Sequence, residues 1–149
     1  MARERERSFG LLVVSHGNFA MELVRAAETV VGQIPGLGAL SIGWDDDADV
    51  AAKSIEDAAR RLNRGHGVLL LTDMFGGTPT NLALSLLEAG TIEIVTGVNL
   101  PMLIKFATLR GEQSLSEVAA TIAGEGRDAI QVASRILYPE HGRPDDPRK

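Results

Sequence analysis

The stretch from Phe9 to Gly17, with the sequence FGLLVVSHG, constrains the fold of this chain most strongly. An apolar run ends in the polar pair Ser15-His16 and a glycine, and helical spacing of apolar residues begins directly afterwards. This pattern is typical of a buried parallel strand that delivers a side chain to the carboxyl edge of an open sheet, where ligands bind. His16 is therefore a candidate functional residue, because imidazole can hold a proton, a metal or a phosphoryl group near neutral pH. A hydrogen-bonded structural histidine is the alternative.

Short apolar runs alternate with helical patterns along most of the chain. The predicted strands cover residues 9–15, 39–43, 68–72 and 91–96. The first predicted helix runs from Phe19 to a stop at Gly32, and the second follows Asp45–Asp47 and reaches Leu62. The third runs from the N-cap Thr78 to Gly90. The fourth ends at about Arg110, and the fifth begins with a capping box at Ser114–Glu117. Strands that are almost wholly apolar, separated by helices, predict a three-layer α/β fold. We expect a flavodoxin-like parallel sheet in the order 2-1-3-4.

Length and composition exclude several classes of protein. The 149 residues suffice for one domain, which we place at 9–137, between a flexible N-terminus (1–8) and a flexible tail (138–149). A formal net charge of −5 argues against a nucleic-acid binder or an anionic-membrane binder. There are no cysteines for disulfide or thiolate chemistry. No apolar run approaches the roughly 18 residues of a membrane span, and the N-terminus does not resemble a signal peptide, so we expect a cytoplasmic protein.

A second polar motif, Asp73 to Pro79, follows the third predicted strand. In the order 2-1-3-4 this strand is the neighbour of the first, roughly 5 Å away, so Asp73 and His16 should share one sheet edge. A carboxylate beside an imidazole can accept the Nδ1–H hydrogen bond and leave Nε2 as the nucleophile. The backbone N–H groups of Gly76 and Gly77, with the hydroxyl of Thr78, are suited to hold an anion. The alternative for Asp73 is a simple loop cap.

Three segments together carry a resemblance to a known family. VSHG (14–17), LTDMFGGTP (71–79) and GVNLPML (97–103) resemble the enzyme IIA domain of the mannose family of the bacterial phosphoenolpyruvate-dependent sugar phosphotransferase system. The segments occur in the order and spacing of that family, and the resemblance covers about residues 9–137. It implies the flavodoxin-like fold with an antiparallel fifth strand near residues 127–134, exchanged between the subunits of a homodimer. On its residues alone, the segment after Gly124 and Gly126 fits a helix almost as well as a strand.

The resemblance also implies roles for individual residues. His16 matches the phosphoryl-accepting histidine, Asp73 the aspartate that orients it, and Thr78 the hydroxyl residue near the phosphoryl group. Met74 is a departure, because the family often has a hydroxyl residue at that position. The loop of Asn99 lies on the same rim, and we assign it no chemical role.

A mechanism and a set of partners follow from the same resemblance. Nε2 of His16 would accept phosphate from the carrier protein phospho-HPr and pass it to a IIB protein for sugar uptake. Gly17, Thr78 and nearby backbone amides would stabilise the transferring charge without metal or cofactor. Contact with the membrane would be indirect, through a IIC/IID permease. A free-standing IIA protein that ends a regulatory phosphorelay is the alternative.

A tetrapyrrole metal chelatase is a more distant alternative, since its first strand also ends in a Ser-His-Gly-like turn. A chelatase needs a second ligand near the histidine. His66 precedes the third strand, which places it at the opposite edge, roughly 15–20 Å away at about 3.3 Å per residue. His141 lies in the predicted tail. The acidic run Asp45–Asp47 is explained by complementation of a helix dipole better than by a metal site.

Two further classes of protein fit the sequence less well. A response-regulator receiver would use Asp73 as phosphoryl acceptor, but it needs acidic metal ligands after the first strand, where this chain has Ser15-His16. It also needs a lysine late in the fold, directly after a strand, and no lysine here follows one (Lys53, Lys105, Lys149). The remaining alternative is an interaction module without chemistry.

Overall fold

A four-stranded parallel sheet forms the centre of the molecule. The computed structural model describes residues 8–109 and 112–139. Its strands lie in the order β2-β1-β3-β4, and every pairing is parallel, which confirms the predicted sheet. Their bounds are β1 Gly10–His16, β2 Leu37–Ile42, β3 Val68–Thr72 and β4 Ile92–Thr96. His16 is thus the last residue of the first strand rather than the residue after it.

Helices cover both faces of the sheet. They are α1 Phe19–Val31, α2 Ala48–Leu62, α3 Thr78–Leu84, α4 Leu100–Thr108, α5 Leu115–Asp128 and α6 Ala133–Leu137. Alternate residues of β1 divide between two apolar cores, with Leu11 and Val13 in one and Leu12 and Val14 in the other. The first core also contains residues of α1, α4 and α5, and the second contains residues of α2 and α3. The predicted three-layer architecture is confirmed.

The third helix differs from the expectation at both ends. Gly77, not Thr78, is the N-cap residue, and α3 ends at Leu84 rather than near Gly90. The backbone N–H groups of Leu86 and Leu87 bond only three residues back, which tightens the chain into turns. Glu88 then pairs with Ile92 in an isolated antiparallel bridge. The leucine spacing predicts a longer helix because it continues through these turns.

The end of the fifth helix differs as well. The sequence leaves the structure after Gly124 and Gly126 open, whereas α5 continues through both to Asp128. Close packing explains why a glycine stands within this helix, because a Cβ on Gly126 would lie 2.6 Å from Sδ of Met102. Residues 127–134 form the end of α5, a short connection and the start of α6, so the described chain has no fifth strand there. An exchanged strand belongs to a dimer and stays a prediction.

The predicted flexible ends fall mostly on residues 1–7 and 140–149, outside the described residues, and the domain limits 9–137 stay a prediction. Arg110, the predicted end of the fourth helix, also lies outside the described residues, and α4 ends at Thr108.

Candidate functional site

His16 and Asp73 meet at the carboxyl edge of the sheet, as the strand order predicts. Nδ1 of His16 lies 2.6 Å from Oδ2 of Asp73, and the backbone N–H of His16 donates to the same oxygen at 2.9 Å. This double contact fixes the carboxylate relative to both the main chain and the ring of His16. With Nδ1 held as the N–H donor, the lone pair of Nε2 is available for chemistry. No described residue hydrogen-bonds Nε2.

The surroundings of Asp73 favour its charged form. Partial burial by itself raises the pKa of this carboxyl group. The hydrogen bonds from the backbone and ring of His16, the charge of that ring and the bond from the Met74 N–H together outweigh burial, so the pKa of Asp73 lies below its ordinary value. The Met74 N–H donates to Oδ1 at 2.9 Å. An ionised carboxylate therefore faces the imidazole at neutral pH.

Ser15 braces the turn that presents His16. Its side chain is fully buried, and its Oγ accepts the backbone N–H of Ala20 at 2.7 Å and donates to the carbonyl of His16 at 3.1 Å. These bonds tie the end of β1 to the first turn of α1. Asn18, the N-cap residue of α1, makes no side-chain cap bond, so Ser15 contributes that function from outside the helix. In the sequence, Ser15 stands out only as part of a motif.

Gly77 packs against the functional ring. An ideal Cβ on Gly77 would lie 2.7 Å from Cε1 and 3.3 Å from Nε2 of His16. Real Cβ atoms do not approach other atoms as closely as 2.7 Å, so the ring needs a glycine here. Thr80 fixes the loop between β3 and α3. It is fully buried and hydrogen-bonds the carbonyl of Met74 and the hydroxyl of Thr72. Thr80 was missed from the sequence because burial decides its role.

The other predicted phosphate-binding residues surround the ring in different ways. Gly17 follows His16 directly at φ +51°, and its N–H donates to the carbonyl of Ile42 at 3.2 Å. That bond must open before this N–H can bind an anion. Gly76 has φ +88° and is exposed, which suits a tight loop. Thr78 is exposed at the start of α3.

Trp44 is a further residue at this edge that the sequence analysis missed. It stands two residues beyond β2, the other neighbour of β1, and its ring centroid lies 6.1 Å from that of His16. The signal was available in the sequence, because the strand order places the residues after β2 beside His16.

The structure separates the residues that the rival functions require. His66 is exposed and makes an edge contact with Phe9, before the start of β1, and so lies at the far edge from His16. Within residues 8–109 and 112–139, no three His, Asp or Glu side chains come close enough to hold a metal ion. Asp47 caps α2 by accepting the N–H groups of Asp49 and Val50, in agreement with a helix-start role for the acidic run. Among the described helices, none is long and apolar enough to cross a membrane.

Comparison with known proteins identifies the family. The family model for the PTS system fructose IIA component, EIIA-man, matches residues 10–123. This chain belongs to that family. The EIIA domain is thus a phosphotransferase of the sugar phosphotransferase system, a phosphoryl carrier, and the resemblance seen in the three motifs is confirmed.

Individual relatives agree with this assignment. The EIIA domain is 27% identical over 128 residues to the fructose-specific EIIA component of Bacillus subtilis, covering 85% of this chain and 88% of the relative. It is 26% identical to the mannose-specific EIIAB component of Escherichia coli K12, covering 83% of this chain but only 39% of that protein. Among solved structures, the PTS IIA protein associated with the fucose utilization operon of Streptococcus pneumoniae matches at TM-score 0.76 and 27% identity, covering 87% of this chain and 96% of that one.

The Asn99 loop of the EIIA domain has a structural explanation. The Asn99 side chain accepts the N–H of Met102 as the cap of α4 and donates to the carbonyl of Gly126 at 3.0 Å. It therefore links the start of α4 to the end of α5, and nothing in its contacts points to chemistry.

Proposed function

We propose that His16 is the phosphoryl-accepting residue, that phospho-HPr is its donor, and that a IIB protein is its acceptor in sugar uptake, with the exchange taking place in the cytoplasm. The observation that carries the proposal is the 2.6 Å contact between Nδ1 of His16 and Asp73. That contact prepares one nitrogen, Nε2, for attack.

The phosphoryl transfer is an in-line displacement at phosphorus. Nε2 of His16 attacks phosphorus, the bond from phosphorus to the donor's histidine nitrogen breaks, and the donor's ring takes back the electron pair. Positive charge develops on the His16 ring as the new bond forms, and the ionised Asp73 stabilises it through the Nδ1–H bond. The same ring then serves as leaving group when the phosphoryl group passes to the IIB protein.

We assign the oxygens of the transferring group to the loop Gly76-Gly77-Thr78. Gly77 supports this assignment because it lies against Cε1 and Nε2 of His16, beside the position of the reacting phosphorus. Backbone N–H groups and the Thr78 hydroxyl are the donors that such oxygens require. Gly17 joins them only if its bond to Ile42 opens.

The proposal is tested by reconstituting the relay. The protein is incubated with enzyme I, HPr and labelled phosphoenolpyruvate, and the stability of the label is measured. An N-phosphohistidine is lost in acid and survives alkali, whereas an acyl phosphate on Asp73 is lost in alkali and to hydroxylamine. We expect alkali-stable label on wild type and on the control His66→Ala, and none on His16→Ala. Label that persists on His16→Ala contradicts the proposal.

We further propose that the protein is a homodimer. Several apolar side chains near the C-terminus are at least half exposed, and no residue of α6 is buried. These side chains are Ile130, Val132, Ile136, Leu137 and Tyr138. Covering them, and the edge of β4 that has no partner strand among the described residues, would remove apolar surface from water and protect an open strand edge. Light scattering at micromolar concentration should give twice the chain mass, and a monomeric mass contradicts the dimer.

A further inference from the structure

Trp44 occupies an unusual position for its residue type. It is the only tryptophan of the chain, and its side chain is 95% exposed. Tryptophan is highly buried on average, because its large ring gains much free energy by leaving water. Nothing in the fold of the described chain covers this ring. The surroundings of Trp44 indicate what kind of partner covers the ring.

Two hydrogen bonds fix the loop that carries Trp44. The N–H of Gly43 donates to Oδ2 of Asp46 at 2.7 Å, and the N–H of Asp46 donates back to the carbonyl of Gly43 at 3.3 Å. Trp44 lies inside this closed turn. The turn follows directly from Ile42, which is paired with His16 in the sheet. Trp44 is therefore presented beside the functional ring by the same sheet that presents His16.

The transfer geometry determines what must approach Trp44. Reacting atoms have to come within about 3–3.5 Å of each other, so a donor protein must bring its own surface almost into contact with His16. The Trp44 ring centroid lies only 6.1 Å from the His16 ring centroid, and the indole is exposed on nearly all sides. A protein surface that reaches Nε2 therefore covers the indole as well.

We propose that Trp44 is a recognition residue for the phosphorylated donor protein, which it binds through an apolar patch beside the donor's phosphohistidine. The proposal rests on the proposed function of His16. Tryptophan at the centre of a contact is the residue type that most often dominates binding. Trp44 touches neither the reacting nitrogen nor Asp73 through any hydrogen bond, so its role lies in docking rather than in the chemistry of the ring.

Two donors separate docking from chemistry. The first is the phosphorylated carrier protein. The second is phosphoramidate, a small donor without a protein surface, whose P–N bond breaks as the bond from phosphorus to Nε2 forms and ammonia leaves. For each donor the second-order rate constant of His16 phosphorylation is measured. For the carrier protein, KM and kcat are also determined separately.

For Trp44→Ala we expect the ratio of the two rate constants, carrier protein over phosphoramidate, to fall about 10–100-fold, the size of a dominant interface residue. This fall should appear as a higher KM for the carrier protein rather than as a lower kcat. Trp44→Phe should recover part of it, because a smaller aromatic ring still covers apolar surface. The matched control is Val30→Ala, since Val30 is 61% exposed but lies near the far end of α1, about 16 Å along the helix from Phe19. Val30→Ala should leave the ratio unchanged.

A second measurement uses the indole itself. Titration with unphosphorylated carrier protein should shift the Trp44 emission to the blue and protect it from iodide quenching, because the ring leaves water. An unchanged ratio for Trp44→Ala, an equal loss with both donors, or an emission that the carrier does not alter each overturns the proposal. If neither donor phosphorylates His16 of the wild-type protein, the proposed function itself fails.

Discussion

Replacement of Asp73 by Asn tests the chemical role of the carboxylate most sharply. In the wild type, Oδ2 accepts two N–H groups of His16, and Oδ1 accepts the N–H of Met74. An amide has only one oxygen for these three donors. If the oxygen faces His16, the NH₂ group opposes the Met74 N–H. If the amide turns, its NH₂ group opposes the backbone N–H of His16 and favours the tautomer that protonates Nε2.

The magnitude follows from these contacts. The first orientation is favoured because it keeps two bonds, so the fold should survive. What is lost is the negative charge opposite a ring that becomes positive during transfer. A hydrogen bond to a charged group contributes about 1.5–3 kcal/mol, which corresponds to roughly 10–10²-fold in rate at 1.36 kcal/mol per tenfold. Molecules in which the turned amide places the proton on Nε2 extend the loss of transfer rate toward about 10³-fold. Loss of the orienting carboxylate in the serine-protease triad, about 10⁴-fold, is an upper limit for a deeply buried pair. The His16 side chain here is 35% exposed.

The assay is rapid quench of phosphoryl transfer from HPr and back to it, with circular dichroism to verify folding. Both directions should slow together, because one imidazole serves both. Asp47→Asn is the matched control, since that carboxylate also accepts two backbone N–H groups and Asn is an equally good helix cap. A folded Asp73→Asn protein that transfers phosphate at the wild-type rate in both directions would refute the reasoning and reduce Asp73 to a loop cap.

The same carboxylate predicts a pH dependence of stability. Because the folded pKa of Asp73 is lowered, its charged form stabilises the fold above the unfolded pKa of about 3.9, and this contribution is lost as the pH falls through the folded value. The difference in free energy of unfolding between wild type and Asp73→Asn should therefore be present at pH 6 and shrink as the pH falls below about 3.9. Urea denaturation across this range measures it. A difference that grows as the pH falls contradicts the assigned direction.

Two glycine substitutions probe close packing in different places. Gly77→Ala places a methyl group 2.7 Å from Cε1 of His16, so it should displace the ring and slow phosphoryl acceptance about 10²-fold, measured by rapid quench; acceptance at the wild-type rate would show that the ring tolerates a Cβ. Gly126→Ala overpacks the buried Met102 and should lower the free energy of unfolding by about 1–3 kcal/mol, whereas Gly124→Ala in the same helix meets open space and should be neutral or stabilising by up to about 1 kcal/mol. Equal urea midpoints for the two α5 variants would contradict the packing account.

The sequence predicts the architecture of the site because strand order alone sets it. Apolar runs that end in polar residues identify β1 and β3, and their adjacency brings His16 and Asp73 together before any side chain is placed. The roles of Ser15 and Thr80 could not be predicted in the same way. Each depends on side-chain hydrogen bonds to a neighbouring segment of the chain, which no residue periodicity encodes. Trp44 shows an intermediate case, since its neighbourhood follows from strand order but its exposure does not.

Helix ends were the least predictable part of the fold. Gly126 is a typical stop signal, yet its close packing on Met102 and the bond from Asn99 keep α5 intact beyond it. The reverse holds for α3, where continued leucine spacing predicts helix through residues that form turns. At Gly126, tertiary contacts override local propensity.

In the proposed mechanism, Asp73 holds Nδ1 of His16 so that Nε2 carries the phosphoryl group. Nuclear magnetic resonance of the phosphorylated protein, with ¹⁵N-labelled histidine, tests this claim directly. We expect ³¹P–¹⁵N coupling at Nε2 of His16, with the proton retained on Nδ1. Phosphorus on Nδ1, or on any residue other than His16, would contradict the account.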